Sequence, residues 1–528
     1  MNAKSIGLNR KRTGAILLFV FSVFMVLYYI LVKERIEFDS DFTDTILWAE
    51  AMLTGNGLFD PEMYYAYTLP FGGSLLMMPF VAVFGVGYMA HALGFILFLA
   101  IFVFSLYMLF RSMDFPVEHT LTAVAFVLLM SLPTKNTRMI MWGHVIHYSL
   151  GLLFVMIAMA AYSGIDMKNP VFSKENRKRS LLLIILTALF CTNGLTTILF
   201  FCIPFYGAVI LERFVSIKDE LLCTENRNTA LISIVGLCAA GVGFVGSAIV
   251  QRLSGVNTVY DSLFKTIPMW QEWVWDYAER LRVMMVCVAG ELPSKISMES
   301  TTGVRIMYMA FVSLIIVFTP IAALCAYRRI ENKIIRIYIL AYIILLASTM
   351  FVYEFSPARG TVHRMVGLYM TALTVTVIFM MWLLRHGTLS RFGAVLAIIL
   401  SIACVFSVYS VTALRGQNRY DSLISVLRDN DLHRGYAEYW SAQVTTVLSD
   451  SDITVAPVTI SENGEIEPRM YNSRKDQFEA EEGVDRYFAF LSSWEYETAK
   501  DTVCKDAVEV IPFDEDGYIV IFDHNLFL

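Results

Sequence analysis

Asp39 and Asp41 stand one residue apart in the stretch EFDSDFTDTILWAEAMLTGNGLF, with Glu37, Asp44 and Glu50 beside them. A carboxylate held against a hydroxyl can take its proton as a general base, so Asp39 and Asp41 are the candidate bases. Asp44 and Glu50 are candidates for holding the molecule that carries the hydroxyl. Asp41 also stands where a residue would cap the helix that follows. Cations gather in two other stretches. KNTRMIMWGHVIH supplies Lys135, Arg138, His144 and His147, and EFSPARGTVHRM supplies Arg359, His363 and Arg364. The planar guanidinium fork suits phosphate oxygens, which makes Arg364, Arg359, Lys135 and Arg138 candidate phosphate ligands. His144 and His147 share a helical face, as a metal pair or as interfacial histidines, but no third ligand follows at metal-site spacing. In MWQEWVWDYAERLRVMMVCV, Trp273 and Asp276 suit a sugar face, or else belong to an aromatic belt at a membrane surface.

The elements that must position these residues are apolar. The chain of 528 residues is 57% hydrophobic and 17% charged, the composition of a polytopic membrane protein. Runs of the roughly 20 apolar residues that a bilayer span takes recur between residues 14 and 413. Charge is divided unevenly. Residues 415–528 carry 10 Lys and Arg against 23 Asp and Glu, a balance of −13, whereas the first 414 hold 31 against 24. An acidic tail behind a mildly basic membrane body excludes a nucleic-acid binder. Most of the 8 cysteines lie in apolar runs and show neither metal-ligand spacing nor a disulfide framework.

Twelve apolar segments can be counted, but twelve crossings would put the basic loop KNPVFSKENRKRS outside, against the positive-inside tendency. The segment LPFGGSLLMMPFVAVFGV, with Pro70, Pro79 and paired glycines, is therefore read as a juxtamembrane or re-entrant piece. Eleven transmembrane helices remain, with 180–193 and 195–211 open to being one bent span. The N-terminus is then cytoplasmic, and the extracytoplasmic parts include 33–87, the long loop 251–303 and the tail. Within 33–87, Phe42, Ile46, Ala49 and Leu53 recur at helical spacing, which predicts an amphipathic interfacial helix over 42–54. The domains expected are a membrane domain over 1–416 and an acidic α/β domain over 417–528. In the latter, 420–430 and 435–448 read as helices and 453–460, 507–511 and 518–522 as strands.

This arrangement resembles the GT-C superfamily of membrane glycosyltransferases, including the bacterial protein-mannosyltransferase-like and aminoarabinose-transferase-like enzymes. The resemblance rests on a basic N-terminus and one span leading to the acidic DSD loop, on ILWAEAMLTGNGLF, on the Pro-containing TLPFGGSLLMMPFVAVFG, and on HRMVGLYMTALTV late in the chain. It covers most of the sequence as architecture rather than as strict motif. It implies a GT-C-like fold and an inverting, cell-envelope glycosyltransferase. That enzyme moves a sugar from a polyprenyl-phosphate carrier to an extracytoplasmic glycan, lipid or protein, with membrane lipids as further partners. By the resemblance Asp39 or Asp41 is the base and Arg364 holds the lipid phosphate, aided by Arg359, Lys135 or Arg138. A divalent cation (Mg or Mn) is left open, because many members place an acidic residue in the second outer loop where KNTRMIMWGHVIH has none. The competing readings are a lipid-linked saccharide transporter, which needs charges lining a path through the spans, and a ligase or polymerase of the O-antigen type.

Overall fold

The computed structural model describes residues 3–55, 57–215, 223–258, 271–291, 295–354, 362–514 and 517–527. Among them, eight helices are long and apolar enough to cross a membrane: Arg10–Glu37, Tyr88–Ser112, Leu195–Val215, Thr224–Leu253, Thr301–Cys325, Lys333–Glu354, Val362–Leu384 and Gly387–Thr412. A ninth forms if Lys135–Gly143 and His147–Ser163, bent by 63° at their break, count as one span. The chain is thus a multi-pass membrane protein, with fewer full-length spans than the eleven expected. The difference lies in segments 117–132 and 180–193. They form the helices Val117–Leu129 (13 residues) and Arg177–Cys191 (15 residues), about 20 and 22 Å long at 1.5 Å per residue, against roughly 30 Å of hydrocarbon. Leu195–Val215 is a separate helix, set off from Arg177–Cys191 by a turn with Gly194 at φ +87°. The Pro79 segment yields only the short helix Gly73–Phe84.

By contact, the chain divides into two units. One comprises Met1–Tyr29, Phe98–Ala248 and Ser262–Leu414, and the other Ile30–Leu97, Ile249–Asp261 and Arg415–Leu528. The last segment of the second unit begins at Arg415. The unit also takes in the whole 33–87 loop, which had been assigned to the membrane domain.

In the helical unit the core is Val362–Leu384, buried on every side from Met365 to Leu383. Its threonines survive there because each hydroxyl returns to its own helix: Thr371 to Gly367 O, Thr374 to Met370 O and Thr376 to Ala372 O, at 2.8–2.9 Å. Small residues set how closely helices approach without a hydrophobic driving force between them. On Thr224–Leu253, a Cβ at Gly243 would stand 2.0 Å from the Ala188 carbonyl oxygen. The segment 251–303 contains the helix Trp273–Ala289, whose buried residues Arg280, Val283, Met284 and Val286–Val288 form one face.

The second unit is built on a six-stranded mixed sheet in the order β5-β4-β3-β7-β9-β8. The strands are β3 Arg434–Glu438, β4 Thr454–Ile460, β5 Ile466–Pro468, β7 Tyr487–Ser492, β8 Glu509–Asp514 and β9 Gly517–Phe522. β3 runs parallel to β4 and β7, and the remaining pairs are antiparallel. The helix Tyr439–Leu448 connects β3 to β4, so in 435–448, expected as one helix, the first four residues are strand. β8 is an edge, blunted by Pro512 and a bulge. A second, three-stranded sheet joins β1 Met63–Tyr65 to β2 Asn257–Thr258 and β6 Ser473–Arg474. Three remote stretches of the chain meet in it.

Gly243→Ala tests the close helix approach. The added methyl meets backbone, which cannot swing aside, so overpacking is expected to lower stability by about 1–3 kcal/mol. The readout is the thermal unfolding midpoint of purified protein in detergent. An unchanged midpoint contradicts the contact.

Candidate functional site

The cations of the helical unit are positioned by a broken helix. After Lys135–Arg138, one π-helical turn, Met139–Gly143, leads to His144, and a regular helix restarts at His147. The break buries His144 and leaves His147 half-buried. It brings both into electrostatic range of His363, and His147 also into range of Arg364, in the first turn of Val362–Leu384. The His147 ring lies 4.1 Å from the Tyr148 ring and 6.1 Å from Phe200, and Tyr148 lies 6.5 Å from His363. The Arg364 guanidinium stands 6.0 Å over Tyr353. Its Nη1 is buried and has no hydrogen-bond partner among the described residues. A buried guanidinium nitrogen with no acceptor is costly, and an anion would relieve it. The apolar seam that begins at Tyr148 and Phe200 holds only about 10 Å³, room for one water-sized sphere. It is packing rather than a pocket.

Lys135 and Arg138, expected beside Arg364, turn elsewhere. Arg138 is 3% exposed; its Nη1 donates to Leu132 O (2.7 Å) and Ser410 Oγ (3.1 Å), and its guanidinium covers the Tyr29 ring at 5.5 Å. Lys135 and Arg138 line a cavity that Arg364 does not. Arg359 lies outside the described residues. Trp273 and Asp276 are half-buried on their helix, whereas Val274 and Trp275, at 71% and 76%, are among its most exposed side chains. That helix also carries Arg280, which meets Glu354 at 2.5 Å in a buried ion pair. Sequence reading missed this pair, although ionisable residues at the ends of apolar helices were the available signal.

The acidic stretch folds within the second unit. Asp39 Oδ1 accepts the Asp41 amide at 3.3 Å and caps the 3₁₀ turn Ser40–Thr43. The capping residue is therefore Asp39 rather than Asp41. Thr43, at the start of the helix Asp44–Thr54, provides no side-chain cap. This helix does not lie in an interface with one wet face, as had been expected. Asp44 to Ala49 are all buried, because both sides are packed. Asp44, expected to contact a substrate, is 2% exposed and accepts from Asn472 Nδ2 (2.6 Å) and the Tyr439 hydroxyl (3.3 Å). Burial, with Asp44 and Asp41 nearby, pushes the Tyr439 phenol well above its usual range, so it stays protonated and can donate. Asp44 is a structural carboxylate.

Asn472 holds a left-handed φ of +47°, which asparagine tolerates. Its side-chain oxygen accepts from Trp48 Nε1 (3.1 Å) and the Ala66 amide (2.9 Å), and its carbonyl accepts from Gln443 (2.7 Å). Glu50 faces Arg474 and Asp476, and its carboxyl lies above the usual range, chiefly through burial, which Arg474 partly offsets. Arg474 in turn pairs with Asp60 at 2.6 Å. A second pair missed from sequence, Glu34 with His91 at 2.9 Å, is fully buried. The His91 ring packs at 4.9 Å from Phe38, next to the acidic turn. Among the described residues, no three His, Cys, Asp or Glu side chains gather as metal ligands would. The turn's donor set fits a dedicated cation cage poorly, since Asp39 caps the turn and Asp44 is committed to Asn472 and Tyr439.

These features define a polytopic membrane protein with a cationic corner in its helical unit and an acidic turn in a mixed α/β unit. No protein-family model matches the chain, and no curated protein sequence matches it. Among solved structures it is similar to the apo oligosaccharyltransferase of Archaeoglobus fulgidus, with a TM-score of 0.48 and 10% identity over 84% of this chain. It spans 64% of that protein, just under two thirds of its length. It is similar also to ArnT from Cupriavidus metallidurans, both bound to undecaprenyl phosphate (TM-score 0.47, 14% identity, 97% of this chain and 99% of that one) and in the apo state (0.46, 14%, 96% and 98%). At such identities no side-chain role is carried across.

Two measurements follow from the second unit. Asn472→Ala leaves Asp44 buried with one donor fewer and removes the acceptor of Trp48 and Ala66. A loss of about 3–5 kcal/mol is expected, read as a lowered denaturant midpoint or as faster proteolysis between residues 415 and 528. Glu50 gives a pH test. A carboxyl whose folded pKa is raised contributes stability that is full below its unfolded pKa and is lost as pH rises through the folded value. Glu50→Gln is therefore expected to match wild type near pH 4 and to unfold at a higher temperature near pH 7. Equal midpoints at both pH values would contradict the burial of Glu50.

Proposed function

We propose that the chain is a glycosyltransferase that moves a sugar from a polyprenyl-phosphate donor to a hydroxyl on an extracytoplasmic acceptor. The N-terminus is cytoplasmic and the Arg415–Leu528 segment extracytoplasmic in this reading. The observation that carries it is Arg364: a guanidinium nitrogen buried without an acceptor among the described residues, in electrostatic range of His147 and His363. A phosphate ester supplies the negative charge and the planar acceptor pair that such a group lacks. It also becomes the leaving group. As the acceptor oxygen bonds to the anomeric carbon, the carbon–oxygen bond to phosphate breaks and its electron pair stays on the polyprenyl phosphate, where Arg364 stabilises the growing charge. The acceptor proton passes to a carboxylate, and attack opposite the leaving group inverts the anomeric centre.

Asp41 is assigned as that base and Asp39 as the residue that positions it. Asp39 spends an oxygen on the Asp41 amide, so it holds the turn that presents Asp41. A divalent cation is given no step. Among the described residues the helices give the transporter reading no support: Arg280 pairs with Glu354 and the half-buried Arg336 with Glu212, at 2.5 and 2.7 Å.

The test is transfer of label from a panel of radiolabelled polyprenyl-phosphate sugars to a membrane extract by purified full-length protein in lipid. Asp41→Asn is expected to lower turnover about 10²–10⁴-fold, and Arg364→Ala by at least tenfold with partial recovery in Arg364→Lys. Asp39→Asn, which keeps a capping side chain, is expected to retain most activity. Equal transfer by wild type, Asp41→Asn and Arg364→Ala would sink the assignment.

A further inference from the structure

A cavity lined by Lys135 and Arg138 in the helical unit has no part in the transfer chemistry above. It encloses about 310 Å³, at the lower end of the range for small-molecule sites (~300–1,000 Å³). Three cations line it from two elements: Lys135 and Arg138 from the short helix Lys135–Arg138, and Arg305 from the second turn of Thr301–Cys325. The first turn of that 25-residue helix also opens here at Thr302, adding the partial positive charge of a helix start. Glu291, exposed at the rim, is the one carboxylate in the lining among the described residues.

The walls are fixed. Thr134 and Thr137 both donate to Cys287 O (2.9 and 2.7 Å), tying the cationic segment to the end of Trp273–Ala289. Arg138 is held by Leu132 O and Ser410. Arg305 lies 5.7 Å over the Tyr409 ring and forms no ion pair among the described residues. The remaining wall is apolar, with Val288, Ile306, Met309 and Phe406.

We propose that this cavity is a second anion site, taking a phosphate-bearing anionic group. Lys135, Arg138 and Arg305 surround the phosphate, and the apolar wall accommodates whatever chain it carries. Such a group is available as the headgroup of an anionic lipid or as free phosphate. The site is independent of the donor site at Arg364.

Binding of fluorescent phosphatidylglycerol to the full-length protein in neutral detergent separates these cases. Arg305→Glu is expected to weaken binding about tenfold, and Arg305→Lys, which keeps the charge, to retain most of it. Arg364→Ala is expected to bind as wild type does. Displacement by unlabelled phosphatidylglycerol but not by inorganic phosphate assigns the site to a lipid headgroup, and displacement by both assigns it to phosphate itself. Three results would overturn the proposal: equal binding by wild type and Arg305→Glu, loss confined to Arg364→Ala, or displacement by phosphatidylcholine as effective as by phosphatidylglycerol.

Discussion

The second unit depends on one buried carboxylate and the asparagine that answers it. Asp44 and Asn472 are 428 positions apart and bonded at 2.6 Å. Taking a carboxylate out of water costs several kcal/mol unless donors replace its hydration, so Asp44 can be buried only if Asn472 and Tyr439 arrive with it. Asn472 reaches further, to Trp48, Ala66 and Gln443. The other long-range bonds follow the same course: Ser40 to Tyr439 O, Asn418 to the carbonyls of Arg35 and Phe38, and Arg35 to Asp421. Together they make an early loop and a late domain one cooperative body. The shape of the acidic turn is set by residues at the far end of the chain.

The helical unit obeys a different constraint. Each backbone amide in hydrocarbon must find its partner within its own helix, and the apolar runs therefore form long helices with little choice. Where regularity fails, polar residues gather. The π-helical turn and 63° break before His147 put His144 and His147 at one end of the bundle, and His363 and Arg364 open the helix that is most fully buried. Interruptions of this kind are tolerated where protein or a watery cavity takes up the freed backbone groups, which is also where an anionic headgroup would be met.

The same contrast explains what was legible in the sequence. Hydropathy and length marked the long spans because the bilayer reads the same two quantities. They overcounted at Val117–Leu129 and Arg177–Cys191, whose helices are apolar but shorter than a bilayer crossing takes. Strands β4 and β9 were visible as apolar runs, whereas β3 was lost inside a longer helical pattern that belongs to Tyr439–Leu448. The helix Asp44–Thr54 was rightly located and wrongly placed in its surroundings. Its polar side faces Asn472 and Tyr439 instead of water, and no periodicity contains the far partner of a hydrogen bond. Asp44 was misassigned for that reason, and Glu34–His91 and Arg280–Glu354 were missed for it too. Chemistry-bearing residue types could be found by eye, but the separation of Lys135 and Arg138 from Arg364 needed side-chain directions that the spacing does not hold.

The charges themselves sort into two kinds. Asp44, Arg280, Glu354, Glu212, Glu34 and His91 are buried, and each meets an ion-pair or hydrogen-bond partner from another element, so each is explained by folding alone. Arg364 is different: its guanidinium lies 6.0 Å over the Tyr353 ring, its buried Nη1 has no acceptor among the described residues, and no carboxylate among them pairs with it. Leaving it so costs stability that a leucine or methionine at the first turn of Val362–Leu384 would not forfeit. A fold selected for stability alone has no reason to keep that nitrogen there. The residue is explained if an oxyanion completes it during function, and a phosphate tethered to a membrane-bound chain is the anion that reaches the end of an apolar helix bundle without leaving the lipid.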